Sequence, residues 1–224
     1  MTNSKAFTRK LSILALLSAI AFILASLIRI PLVPAVGFLT YEPKDVVIVI
    51  AGFIFGPFAS LSMITVIALL EGFVTGALSP IGIPMNFVAS VSFCCTAAAI
   101  YKKWRTLTGA AIGLAVGTVA TTVAMLLWNY ALTPTLMGFP REQVEAMLIP
   151  GFLPFNLIKG TLNAALVMLL YKPLRKALDK ARLLPISEDA GETNTGKISI
   201  GTLLVSALII LTLVLVVLSW QGVI

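Results

Sequence analysis

Six hydrogen-bonding or charged side chains interrupt stretches that are otherwise apolar enough for lipid: Glu71, Asn86, Asn129, Asn156, Lys159 and Asn163. Such groups are costly at membrane depth and as a rule face a cavity or a partner. Three of them lie in LPFNLIKGTLNAAL (153–166), where spacing of i, i+3 and i+7 puts Asn156, Lys159 and Asn163 on one helix face. Amides offer both donors and acceptors, and a lysine adds a charged donor. The chemistry this suits is recognition of an uncharged or weakly charged ligand rich in hydrogen-bonding atoms. The chain has no histidine, and no GxxxxGK[ST], HExxH or GxSxG run. The commonest proton shuttle, a phosphate-cradling loop and two hydrolase signatures are therefore absent from it.

The elements that must hold these groups are membrane helices. The 224 residues are 59% hydrophobic and 11% charged, with a mean hydropathy of +1.05. A soluble domain carries about 25% charged residues. Several runs reach the ~20 apolar residues needed to cross a bilayer. The reading is an all-α membrane protein: a six-helix bundle plus a seventh C-terminal transmembrane helix. Spans are expected at about 10–29, 43–56, 58–76, 85–101, 107–130 and 153–171, the last continuing as a basic amphipathic extension. A turn at Ser79-Pro80, a tight basic loop KKWR and a longer polar loop over 131–152 are expected between them. Residues 1–182 form the substrate-binding membrane domain, 183–197 a flexible linker, and 198–224 an accessory helix outside the functional bundle. The first apolar run, 11–28, exceeds a signal-peptide core and reads as a span. Adjacent Cys94 and Cys95 point in different directions on a helix and read as small packing residues.

The net charge of +7 fits cytoplasmic loops better than nucleic-acid binding. With the N-terminus cytoplasmic, all 16 Lys and Arg fall on the inner side except Arg29, Lys44, Arg141 and Lys159. That topology brings Glu71, Asn86, Asn129, Asn156 and Lys159, from four helices, into one band near the outer surface. Asn163, the deepest, reads as an interhelical hydrogen bond. Asn86 fits a helix cap beside Pro84 as well as a ligand group. Lys159 lies too far inside for easy snorkelling and needs an acceptor, either Glu71 or a ligand oxygen. Tyr41, Phe53, Phe87, Trp128, Tyr130, Phe152 and Phe155 are placed at the outer ends. An interfacial belt explains several of them, and one or two could stack on a planar ligand. Ala15-xxx-Ala19 and Ala21-xxx-Ala25 on the first helix are small-residue patterns that fit close packing or partner docking equally.

The stretches YEPKDVVIVIAGFIFGP (41–57), LWNYALTPTLMGFP (127–140) and LPFNLIKGTLNAAL (153–166) resemble the substrate-binding S component of energy-coupling-factor (ECF) vitamin transporters, and within it the riboflavin-specific group. The resemblance covers about residues 8–182. It implies a six-helix bundle with both ends cytoplasmic, in the plasma membrane of a prokaryote, and an outward-facing pocket covered by the loop after the first helix. It implies no enzyme activity and no cofactor, riboflavin being the transported ligand. Asn129, Asn156 and Lys159 match binding positions, Glu71 and Asn86 match less closely, and Tyr41 joins them as a pocket aromatic. Ala15 and Ala19 match the face that docks on a transmembrane coupling subunit carrying two ATP-binding subunits, and transport is by toppling in the membrane. The seventh span departs from the six-helix pattern. The rival readings are an S component for thiamine or pantothenate, an ion-coupled secondary transporter, against which the lack of an internal repeat counts, and, last, a membrane enzyme.

Overall fold

In the computed structural model, residues 3–75, 82–181 and 200–222 are described. The turn at Ser79-Pro80 and the linker 183–197 lie outside these residues. α1 (Asn3–Leu27) buries Ile13, Leu17, Ala21 and Ala25, a four-residue repeat forming one stripe against the next two helices. Ala15 and Ala19 fall on the opposite, exposed face. α2 (Lys44–Phe55) has 12 residues, of which Lys44 through Phe53 are all buried. At about 1.5 Å per residue it is roughly 18 Å long and does not cross a bilayer core by itself. It is the hub of the bundle, and α3 (Pro57–Thr75) comes after it, beyond the Gly56 turn.

α4 (Gly82–Ser90) passes through a π-helical turn at Val91–Cys95 into α5 (Thr96–Trp104). α6 (Leu107–Met137) is capped by Thr106, whose Oγ1 accepts the Gly109 N–H at 3.0 Å. α7 (Arg141–Met147) runs through a second π turn, Leu148–Phe152, into α8 (Leu153–Lys180). α9 (Ile200–Trp220) packs along α8. Six of the described helical segments are long and apolar enough to cross a membrane: α1, α3, α4–α5, α6, α7–α8 and α9. With α2 they make the six-helix bundle and extra C-terminal helix that the sequence predicts.

Four local expectations are corrected. Residues 131–152 are helical for most of their length, because α6 tolerates Pro134 and ends only at Gly138, where φ is +69°. KKWR is not a loop: Lys102–Trp104 complete α5, and the reversal needs only Arg105, at φ +41°, and Thr106. The segment before α2 is not irregular throughout. Its ends pair as a short antiparallel ladder, β1 (Ile30–Pro31) with β2 (Thr40–Tyr41), around a 3-10 turn at Pro34–Val36. Phe53 does not lie at the same end of the bundle as Tyr41, with which the sequence reading groups it. It stacks on Tyr101 with ring centroids 4.2 Å apart and meets Tyr171 edge-on. Nine residues along α2 place it about 14 Å from Lys44. That end of the bundle also holds Lys10, 5.9 Å from the Phe55 ring, and Arg175, which donates to the Tyr171 hydroxyl at 2.9 Å.

α6 packs against the α4–α5 segment through Gly113 and Gly117. A Cβ there would lie 2.8 Å from the backbone carbonyls of Ala97 and Phe93 respectively. Gly113→Val should lower stability by about 1–3 kcal/mol or more, because backbone cannot step aside as a side chain does. Ala115→Val, on the exposed face of α6, should be near neutral. Thermal unfolding of the purified variants in detergent checks both.

Candidate ligand-binding site

Tyr41, Glu42, Lys44 and Asp45 lie at the start of α2, and all four are buried. A charge this deep must find a partner or lose stability. Lys44 Nζ contacts Glu42 Oε2 at 3.0 Å and also donates to Glu71 of α3. Arg29, at the end of α1, lies 3.6 Å from Glu42. Asp45 accepts the Ser90 hydroxyl of α4 at 2.6 Å, and its Oδ2 is 3.8 Å from Lys159 Nζ of α8. The Cys94 thiol also approaches the Asp45 carboxylate, at 3.8 Å. The Tyr41 hydroxyl donates to Asn163 Oδ1 at 2.9 Å, so the partner of Asn163 is a β2 residue of the α1–α2 connection and not, as expected, another helix. Within this cluster Arg29, Lys44 and Lys159 face Glu42, Asp45 and Glu71, so the formal charges cancel.

Lys159 and Glu71 do not pair with each other, as one expectation had it. Glu71 is held by Lys44, and Lys159 by Asp45. Among the described residues Lys159 makes no hydrogen bond. Its side chain is 9% exposed, and 3.8 Å is an ion-pair distance beyond hydrogen-bonding reach. An ammonium carries three donors, so this group has donors to offer an incoming acceptor.

The other predicted residues fall elsewhere around the pocket. Asn156 is buried and donates to the Phe152 carbonyl at 2.8 Å, inside the π turn that leads into α8. Asn129 is 2% exposed; its Nδ2 donates to the Met125 carbonyl at 2.7 Å and its Oδ1 accepts from Thr133 at 2.9 Å. Neither amide bonds directly to the α2 cluster. Asn86 is half-buried and, with Lys44, Glu71 and Ser90, lines a small cavity of about 10 Å³. A larger cavity, about 130 Å³, is bounded by Phe38 of the α1–α2 connection, Thr133, Phe139, Gln143, Met147 and Phe152. A pocket for a drug-sized ligand occupies roughly 300–1,000 Å³. The larger cavity is smaller than that. The Trp128 indole N–H is buried without a partner among the described residues.

Glu42, Lys44, Asp45 and Ser90 escaped sequence reasoning. Glu42, Lys44 and Asp45 sit at a helix start, where charges normally meet water, and Ser90 looks like an ordinary small residue in an apolar helix. Only the central placement of α2 makes them interior. The signal that was available is the Glu-Pro-Lys-Asp run itself, charged and immediately followed by ten apolar or small residues.

Membrane-length helices around a buried, charge-balanced polar cluster define a ligand-binding membrane protein. Among the described residues no three His, Cys, Asp or Glu side chains gather as a candidate metal site. Residues 9–171 match the family of substrate-specific components of ECF transporters, and the chain belongs to that family. It is 30% identical to the riboflavin transporter FmnP of Bacillus subtilis (strain 168), over 78% of this chain and 96% of that protein. It is 31% identical to the riboflavin transporter RibU of Staphylococcus aureus (strain TCH60), over 77% and 93%. For RibU of Streptococcus thermophilus (strain ATCC BAA-250 / LMG 18311) the figures are 33%, 80% and 87%. A solved structure of the S component of a bacterial ECF transporter is 34% identical and superposes with a TM-score of 0.66, over 76% of this chain and 98% of that one.

Removing Lys44 should expose the weight of the buried pairs. Lys44→Met leaves Glu42 and Glu71 without their shared cation and should cost about 3–5 kcal/mol of stability. Lys44→Met/Glu71→Gln should recover part of that loss. Thermal unfolding of the two variants beside the parent is the check.

Proposed function

We propose that the chain is the riboflavin-binding subunit of an ATP-driven importer. The observation that carries this reading is the buried Lys159 ammonium, anchored to Asp45 yet with no hydrogen bond, on the same helix as Asn156. Three relatives at 30–33% identity that are named riboflavin transporters support the choice of ligand. The isoalloxazine imide edge alternates carbonyl, N–H and carbonyl, a pattern that an ammonium and an amide can match. Its flat apolar body would lie against Phe38 and Phe152, and the ribityl hydroxyls would take Asn129, Asn86 and backbone groups of the α1–α2 connection. Glu71 would act through Lys44, and Tyr41 through Asn163. A site whose charges already cancel suits a neutral ligand.

The end of the bundle that holds Lys10, Lys102 and Arg175 would face the cytoplasm, which puts the polar cluster outside. Ala15 and Ala19, on the exposed face of α1, would meet the transmembrane coupling subunit, with two ATP-binding subunits beneath it. The chain has no phosphate-binding loop of its own, consistent with energy supplied by partners.

Protein purified from cells grown with riboflavin should be yellow and release stoichiometric riboflavin on denaturation. Lys159→Ala and Asn129→Ala should each weaken binding about 10–100-fold, as expected for losing a hydrogen bond to or from a charged or well-placed group. Both are read by quenching of riboflavin fluorescence. A colourless preparation that fails to quench on titration overturns the riboflavin assignment and redirects the search to other vitamins. Vesicles holding this chain alone should take up no riboflavin, and uptake should appear only with an ATPase module and ATP.

A further inference from the structure

α9 lies beyond residue 171, where the family match ends, yet it is not a detached anchor. Its buried positions, Ser206 and Val217, and its half-buried ones, Thr202, Ile209, Ile210, Leu213 and Leu218, recur every three or four residues and make one seam. The inner end of that seam runs along α8. Its outer end reaches the α1–α2 connection. Val217, 8% exposed, belongs to the packed cluster that holds Leu32, Val36 and Tyr41 of the connection together with Phe155 and Ile158 of α8, and Leu213 packs against the same cluster. One helical turn beyond Val217, Gln221 Nε2 donates to the Pro31 carbonyl at 2.6 Å. Pro31 is a β1 residue, paired with Thr40 at the far side of the connection.

The connection forms one wall of the larger cavity. Phe38 bounds the larger cavity and packs on Phe139 and Phe152, with centroids 6.3 and 6.0 Å away. Those contacts fasten its middle, and Tyr41 fastens its end to Asn163. α9 fastens its beginning.

We infer that α9 is a strap that holds the α1–α2 connection closed over the pocket and so lengthens ligand residence. A hydrogen bond to a backbone carbonyl together with an apolar residue in a shared cluster is a hold of the size that can be released by thermal motion. It would slow exit without forbidding entry. The retention part of this inference rests on the pocket being the ligand site.

The test uses the full chain in lipid nanodiscs. Val217→Ala/Gln221→Ala loosens the outer end of α9, and Leu204→Ala/Leu208→Ala, on its exposed face, serves as control. Hydrogen exchange of peptides covering residues 30–41, without ligand, should be roughly tenfold faster in the first variant and unchanged in the control. Riboflavin release, followed by fluorescence recovery in a chase experiment, should quicken by a similar factor, with association nearly unchanged. Unchanged exchange overturns the strap whatever release does. Faster exchange with unchanged release overturns its role in retention. If the parent binds no riboflavin, the ligand assignment fails, and the exchange comparison still decides whether α9 holds the connection.

Discussion

The structure depends on the pairing of charges at the start of α2. Lys44 and Asp45 are 3% and 1% exposed. Taking an ion out of water costs several kcal/mol unless its partners are close and well aligned. The partners come from everywhere around α2: Glu42 from the preceding connection, Glu71 from α3, Ser90 from α4 and Lys159 from α8. Apart from Lys44–Glu42, each pair is thus also a tie between helices. A shift of one helix by a single turn would break a pair and leave a buried charge alone, so the electrostatics select one register for the bundle. The same ties bring Lys159 to the place where a ligand could use it.

Irregular backbone surrounds this cluster. The π turn at Val91–Cys95 directly follows Ser90 and carries Cys94, both of which touch Asp45. The π turn at Leu148–Phe152 supplies the carbonyl that Asn156 uses. Such turns insert one extra residue and rotate the helix beyond them, and they often accompany functional sites. Elsewhere the bundle is tightly regular. Gly113 and Gly117 let α6 approach the α4–α5 backbone closely, and Gly160 brings α8 against Thr118 of α6. Rigid helices with local irregularity at the site suit a pocket that must place a few polar groups accurately.

The outer cover is held differently. The α1–α2 connection has a two-residue ladder, a 3-10 turn and three aromatic rings for its fastening. These are weaker and more separable than the buried ion pairs. α9 adds its contacts at this cover and at α8, away from the exposed Ala15 and Ala19 face of α1.

What the residues alone determined is the class of the protein and several of the polar groups that its helices bury. Hydropathy marks membrane helices because a bilayer leaves no other use for runs of some 20 apolar residues. Asn129, Asn156, Lys159 and Asn163 were legible because polar groups in such runs are rare, and all four are buried in the fold. The motif stretches pointed to the family, to which the chain belongs. Tertiary structure decided the rest. That α2 is central could not be read from its 12 residues, since an apolar helix looks the same facing lipid or protein. Lys44 and Asp45 were therefore hidden, and of the two acceptors considered for Lys159, Glu71 or a ligand oxygen, neither is the Asp45 carboxylate that it meets. Phe53 was misplaced because its depth depends on the direction and length of α2. Pairing across more than a hundred residues, as between Tyr41 and Asn163 or Asp45 and Lys159, depends on how helices pack, and no local pattern encodes that.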